Sequence, residues 1–181
     1  MSQAVFTHDT ELSLRAAAAL INAPAPQDLD AVLTFIESWW WTGPRPQDDS
    51  VVPVMQRVRE RIAGLWGAPI EDAVEITNGL LRDARACPQL VDHEPVGWHF
   101  HAAPPDSDFH TRVAVDTAMA FADAIRTGGY SRLRRCAAAD CDDAFVDLSK
   151  NRSRKFCDGT CGTKAAAAAY RARAREAVGQ D

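Results

Sequence analysis

The sequence predicts a mainly α-helical protein: a helical N-terminal domain carrying one small β-hairpin, then a short C-terminal module organised by four cysteines. Three observations predict it. Apolar residues recur at helical spacing through most of the first 129 residues. The stretch from Pro88 to Pro105 breaks that pattern into short extended runs. Two close pairs of cysteines then fall between Cys136 and Cys161, ahead of a segment built from alanine and arginine. With 46% hydrophobic and 25% charged residues over 181 positions, the chain has the composition of a globular protein. That excludes a rod or a mainly disordered chain.

Each element has its own signal. Leu12, Ala16 and Leu20 mark a first helix. Leu29, Val32, Leu33, Ile36 and Trp40 fall on one face of a second, which Gly43, Pro44 and Pro46 end. Pro53 suits the first turn of a third, with Val54, Met55, Val58, Ile62 and Leu65 as its buried stripe. After Gly67 and Pro69, a fourth turns Ala73, Val74, Thr77, Leu80, Leu81 and Ala84 inward. Leu90–Asp92 and Val96–Ala102 flank Glu94 and Pro95 as a hairpin. A fifth helix runs from about Ser107 to Thr127, capped by Ser107 or Asp108 and stopped by Gly128 and Gly129. Ala118, Phe121, Ala122 and Ile125 are its core face. Domain boundaries follow at 1–129 and 130–181.

Charge divides along the same line. The net charge is −5, yet residues 130–181 hold 11 of the 20 Lys and Arg but only 7 of the 25 Asp and Glu. Between Lys150 and Arg175 eight basic residues face Asp158 alone. An acidic body with a basic module suggests an anionic partner for the module, against the plainer reading of a solvated charged tail. No run approaches the roughly 18 to 20 apolar residues that span a bilayer. Asp9 and Glu11 precede an Ala16–Ile21 run too short and too acidic for a secretory signal. The expected location is the cytoplasm, with no membrane partner.

Cys136, Cys141, Cys157 and Cys161 form C-x4-C and C-x3-C pairs with fifteen residues between them. Four thiolates in two close pairs can converge on one tetrahedral ion, and Zn2+ suits them because soft thiolates hold it without redox chemistry. Disulfides and an iron–sulfur cluster are the alternatives; a reducing cytoplasm disfavours the first and the spacing disfavours the second. Cys87 reads as a buried small hydrophobe. Ala144–Asp147 is a strand candidate, with Arg154–Phe156 returning as its partner. Asp158 then caps a helix that places Cys161 near its positive end. Knuckle, hairpin and helix make a treble-clef-like zinc module.

Along that helix, Lys164, Arg171 and Arg175 lie within about 20° of one line, and Arg173 points the opposite way. Alanines beside the stripe leave the backbone able to approach another surface closely. A rigid, narrow, basic helix fits a DNA groove and its phosphates. Lys150, Arg152, Arg154 and Lys155 add backbone contacts from the preceding hairpin. The competing reading is a solvated helix whose alanines pack on the cysteine cluster.

At these residues the chain resembles a known family. Arg135-Cys136, Cys141, Phe145 to Ser149, Asn151 to Cys157, Cys161-Gly162-Thr163-Lys164 and Tyr170 to Arg173 are similar to the CGNR-type zinc finger. That module closes bacterial proteins whose helical N-terminal region is the ABATE domain, a family of stress-induced transcription regulators. The resemblance is specific over about residues 130–175 and looser before them. It implies zinc on the four cysteines and DNA as partner. The name-giving Cys-Gly-Asn-Arg stands here as Cys161-Gly162-Thr163-Lys164. Lysine keeps the charge without the planar fork, and threonine lacks the amide, so base contacts from these two positions change while metal binding does not.

Two further groups of residues bear on function, the histidines and the tryptophans. His93, His99, His101 and His110 cluster, and His99 with His101 would share a strand face, but no metalloenzyme helix motif accompanies them. Trp39, Trp40 and Trp41 sweep about 200° of a helix and so cannot all face one core. Trp98 and Phe100 are expected to complete the core. There is no phosphate-binding glycine loop, no G-x-S-x-G and no H-E-x-x-H, so no enzyme is expected. The reading is a DNA-binding transcription regulator whose N-terminal domain senses a small-molecule effector or forms a homodimer. The alternatives are a zinc-module adaptor for an acidic protein partner, and a ligand-binding N-terminal domain without DNA.

Overall fold

The computed structural model describes residues 5–39, 41, 43–93 and 97–178. Its elements run α1 (His8–Asn22), α2 (Leu29–Ser38), α3 (Val51–Ala63), α4 (Ile70–Asp83), β1 (Gln89–His93), β2 (Gly97–His101), α5 (Phe109–Arg126), β3 (Leu133–Arg135), β4 (Ala144–Val146) and α6 (Gly159–Val178). A 3-10 turn, Tyr130–Arg132, links α5 to β3. The protein is mainly α, with a small hairpin in the N-terminal region and a four-cysteine module at the C-terminal end.

α5 is the hub, and α1, α3 and α4 all pack against it. Its sequence explains why: Val113, Ala114, Val115, Thr117, Ala118, Ala120, Phe121 and Ala124 are buried, a wide apolar face lined largely by small residues that let neighbouring helices close in. Trp66 meets Phe121 edge-on at 4.7 Å between ring centres. Asp108 stands at the start of α5, but its side chain makes no capping hydrogen bond. At the other end Gly128 adopts φ 70°. A Cβ on Gly129 would fall 2.6 Å from Cε1 of Phe6, so this Gly-Gly pair serves both the turn and the close approach of the N-terminal segment.

The helix faces follow the periodicity with two adjustments. α2 ends at Ser38, two residues before the last position of the apolar pattern, Trp40. Val74 of α4 is exposed, while Ala73, Thr77 and Leu80 are buried. Trp41 packs against Phe109 and Phe35, at 5.5 Å and 6.5 Å between ring centres, and Trp39 is half-buried. Trp40 lies outside the described residues.

The β1–β2 hairpin forms where expected, antiparallel, with Leu90 opposite Phe100 and Asp92 opposite Trp98. Its orientation corrects the expected core assignment. Leu90, Trp98 and Phe100 share the exposed face, while His99 on the opposite face is buried. A period of two separates the faces of a strand but does not say which one turns inward. His99 faces inward with Nδ1 2.7 Å from the Gly97 carbonyl and Nε2 3.0 Å from Nε2 of His101. Cys87 is likewise exposed rather than buried, because it sits on the connection from α4 to β1 with its N–H bonded to Ala102 O at 2.8 Å.

The second sheet also departs from expectation. β4 pairs antiparallel with β3, which precedes the first cysteine pair, and not with Arg154–Phe156. The Cys136–Cys141 knuckle therefore sits at the tip of a β3–β4 hairpin. Residues 154–156 run alongside without a ladder, because Arg152 takes φ 53° and the Arg154 N–H is bonded to the Asp147 carboxylate. Leu133, Ala144 and Val146 join the main hydrophobic core, and β4 packs on α1. No helix among the described residues is long and apolar enough to cross a membrane.

Candidate metal centre

Cys136 follows β3 and Cys141 closes the knuckle, with Cys141 N–H bonded to Ala138 O at 3.2 Å. Cys157 ends the long loop and Cys161 lies in the first turn of α6. Asp158 caps that helix, its Oδ1 accepting Cys161 N–H at 2.8 Å. The four sulfurs lie within 4.8 Å of one another, the only such convergence of potential metal ligands among the described residues. Cys157 Sγ is 3.7 Å from both Cys141 Sγ and Cys161 Sγ. A tetrahedron with metal–sulfur bonds of about 2.3 Å has edges near 3.8 Å, whereas a disulfide needs about 2.05 Å. The spacing fits one tetrahedral ion and not crosslinks.

Polar groups around the sulfurs favour the thiolate at Cys136 and disfavour it at Cys157 and Cys161. Cys157 N–H points at Cys136 Sγ over 3.4 Å. Loss of solvent pushes the Cys136 thiol up, but the N–H groups of Cys157 and Ala138 and the neighbouring thiols outweigh it and bring it to about 7. Burial, crowding by the other sulfurs and the Asp143 carboxylate at 3.4 Å push Cys157 upward. With four sulfurs the shell is closed, leaving no open position for substrate.

The loop between the cysteine pairs is held by residues that sequence patterns did not single out. Asp147 is fully buried and accepts N–H bonds from Ser149 at 2.9 Å and Arg154 at 3.1 Å, with Arg134 Nη1 at 3.6 Å. Burial raises its carboxyl, and these hydrogen bonds with the Arg134 charge more than reverse that, holding it below the usual range. An Asp two residues before a Ser, directly after an apolar strand, is the local cue for such a turn. Arg132 is buried and donates to the carbonyls of Asp147 and Ser149 at 2.9 Å and 2.8 Å. Arg134 donates to Arg154 O at 2.7 Å.

A second group fastens the module to the helices. Arg135 donates to Ala63 O at 2.9 Å and to Asp142 O at 2.9 Å. Asn22, at the end of α1, pairs with both backbone groups of Ala144 at 2.8 Å, standing in for a missing strand neighbour. Tyr130 Oη reaches Leu65 O at 2.8 Å.

The expected DNA-facing residues divide into two kinds. Lys150, Arg152, Lys155, Lys164, Arg171 and Arg175 are all exposed, as is Arg173. Arg152 donates to Ser131 Oγ at 3.2 Å. Arg154 is engaged within the module: it donates to Phe156 O at 2.9 Å and to Cys157 O, and lies 5.0 Å from the Phe145 ring centre. Its guanidinium positions the third cysteine. From Thr163 to Arg173, α6 has no buried residue, and Tyr170 is 69% exposed.

Among the described residues the histidines form no comparable site. His110 opens α5, half-buried, and burial lowers its pKa. The His93 side chain lies outside the described residues.

With this geometry in view, the relation to known families is specific. Residues 13–128, more than half of the chain, match the ABATE family, described as "Putative stress-induced transcription regulator". Residues 132–174 match the CGNR zinc finger, the segment that holds the four cysteines. Neither is an enzyme family. No curated protein matches the chain. It belongs to the ABATE family and carries a CGNR zinc finger C-terminal to that domain.

Proposed function

We propose that this chain is a DNA-binding transcription regulator of the cytoplasm, in which a zinc ion held by Cys136, Cys141, Cys157 and Cys161 fixes the first turn of α6. The ion's role when bound is structural: four thiolates hold it and leave no site for catalysis. Lys164, Arg171 and Arg175 meet phosphates or bases, and Lys150, Arg152 and Lys155 add phosphate contacts. Arg154 acts by positioning Cys157. The N-terminal domain senses an effector or forms a dimer.

One observation carries the reading: α6 leaves the sulfur cluster as an exposed helix whose charged side chains from Lys164 to Arg175 are all basic. Asp158, the one acid between Lys150 and Arg175, is committed to capping that helix. Basic side chains alternating with alanine on a rigid helix suit a polyanion with a groove.

The test is selection of genomic fragments by the purified, zinc-loaded protein, beside a Lys164→Ala/Arg171→Ala/Arg175→Ala variant. A shared motif recovered by the wild type and lost by the variant is expected. Weak, uniform recovery by both would remove the DNA reading. It would favour the second one, an adaptor for a protein partner, for which the exposed Leu90, Trp98 and Phe100 face of the hairpin speaks.

A further inference from the structure

The first turn of α6 fixes the bearing of every residue that follows. Cys161 points to the sulfur cluster, 3.7 Å from Cys157 Sγ. A Cβ on the next residue, Gly162, would lie 3.5 Å from Cδ2 of Phe156, so the loop carrying Lys155 runs along the Gly162 flank. The same loop and the helix start at Gly159 border an open depression of about 480 Å³.

At 100° per residue, Arg173 lies about 20° from Gly162, on the Lys155 flank. Lys164, Arg171 and Arg175 lie about 180 to 220° from it, on the opposite flank. The edge pointing away from the cluster, about 180 to 200° from Cys161, holds Tyr170 and Thr163. Ala166 and Ala167 sit beside them. Tyr170 is 69% exposed, and Thr163 is exposed too.

Basic side chains on two opposed flanks, with an uncharged edge between them, suit a groove rather than a single strand of phosphates. A major groove about 12 Å wide presents phosphates on both walls and base edges at its floor. Alanine at positions 165–169 and 172 keeps the helix narrow enough to enter it.

Granting the DNA-binding reading above, we propose that α6 enters the major groove with its Thr163–Tyr170 edge toward the bases. Tyr170 and Thr163 are the base-reading side chains. Lys164, Arg171 and Arg175 hold one wall of phosphates, and Arg173 with Lys155 holds the other. The Tyr170 hydroxyl donates and accepts, and its ring offers apolar surface to a thymine methyl. Thr163 and Tyr170 are about 10 Å apart along the helix axis, or three base-pair steps, so each chain reads about three to four base pairs.

The experiment measures full-length, zinc-loaded protein by fluorescence anisotropy over a salt series. One duplex is selected from a random-sequence pool by the wild type, and the other is an unselected duplex of equal length. Tyr170→Ala is expected to cut the preference for the selected duplex about tenfold with the salt slope unchanged. Arg173→Ala/Lys155→Ala is expected to weaken both duplexes alike and to lower the slope by about two. All three side chains are exposed, so each variant should keep its zinc and its circular dichroism, which are measured alongside. Undiminished preference in Tyr170→Ala, or an unchanged slope in the double variant, would overturn the proposed orientation while DNA binding stands. A wild type that binds neither duplex would overturn the DNA reading and this orientation with it.

Discussion

Arg132, Arg134 and Arg135 around β3 and Arg171, Arg173 and Arg175 on α6 carry the same charge in the same module, yet their surroundings are opposite. The first three donate to backbone carbonyls, and Arg132 is buried. The last three stand in solvent on a helix with no buried residue between Thr163 and Arg173. A count of positive charge treats the two sets alike. Their neighbours separate them: arginines beside unpaired carbonyls hold the module together, and arginines beside alanines on a free helix are available to a partner. The helical body differs again, being held by apolar packing around α5. The finger shares a little of that core through Leu133, Ala144 and Val146, and hydrogen bonds from its arginines to backbone carbonyls hold the loop beside the converged cysteines.

The largest effect that would sharpen this contrast comes from the metal. Cys157→Ser should bind well under one equivalent of zinc by elemental analysis and lose the helical signal of α6, while the signal of α1–α5 persists. Structural zinc in small fingers contributes about 10 kcal/mol or more of folding free energy, which residues 132–174 have little apolar core to replace. A full equivalent of zinc in that variant would refute the four-thiolate site.

Next in size is the seam. Asn22→Ala leaves both backbone groups of Ala144 without their partner and should cost about 2 to 3 kcal/mol in urea denaturation. A loss near zero would mean that the finger is not fastened through β4.

The body holds a misplaced charge of its own. Burial raises the Asp116 carboxyl to about 7, with Arg112 only partly opposing it. The folded state thus binds a proton more readily than the unfolded chain, so stability should fall as pH rises from about 4 to 7. Asp116→Asn should gain on the order of 2 kcal/mol at pH 8 and nothing near pH 3, read from denaturation midpoints at the two pH values.

The smallest stability effect belongs to the free arginines. Arg171→Ala/Arg175→Ala should shift stability by no more than about 0.5 kcal/mol, since both are exposed and alanine favours helix. The same variant should bind duplex more weakly. A large loss of stability would place these arginines with the structural set.

The sequence carried the convergence of the four cysteines because their paired spacing is local, and Asp158 as a helix cap is equally local. Helices α1 to α5 were legible because a period of 3.6 needs no knowledge of the partner. Three-residue strands have no such period, so nothing marked Leu133–Arg135 as a strand and Arg154–Phe156 took its place as the partner of β4. Trp98 and Phe100 looked like core by hydrophobicity alone, yet the hairpin turns His99 inward. Asn22 and Ala144 are 122 residues apart, and nothing near either announces the pairing.

The measurement that tests the account most directly is the salt dependence of duplex binding by the intact, zinc-loaded chain. With about five to seven phosphates neutralised by the residues named above, log affinity should fall against log salt with a slope near −5 to −6. An affinity that does not change with salt would contradict it.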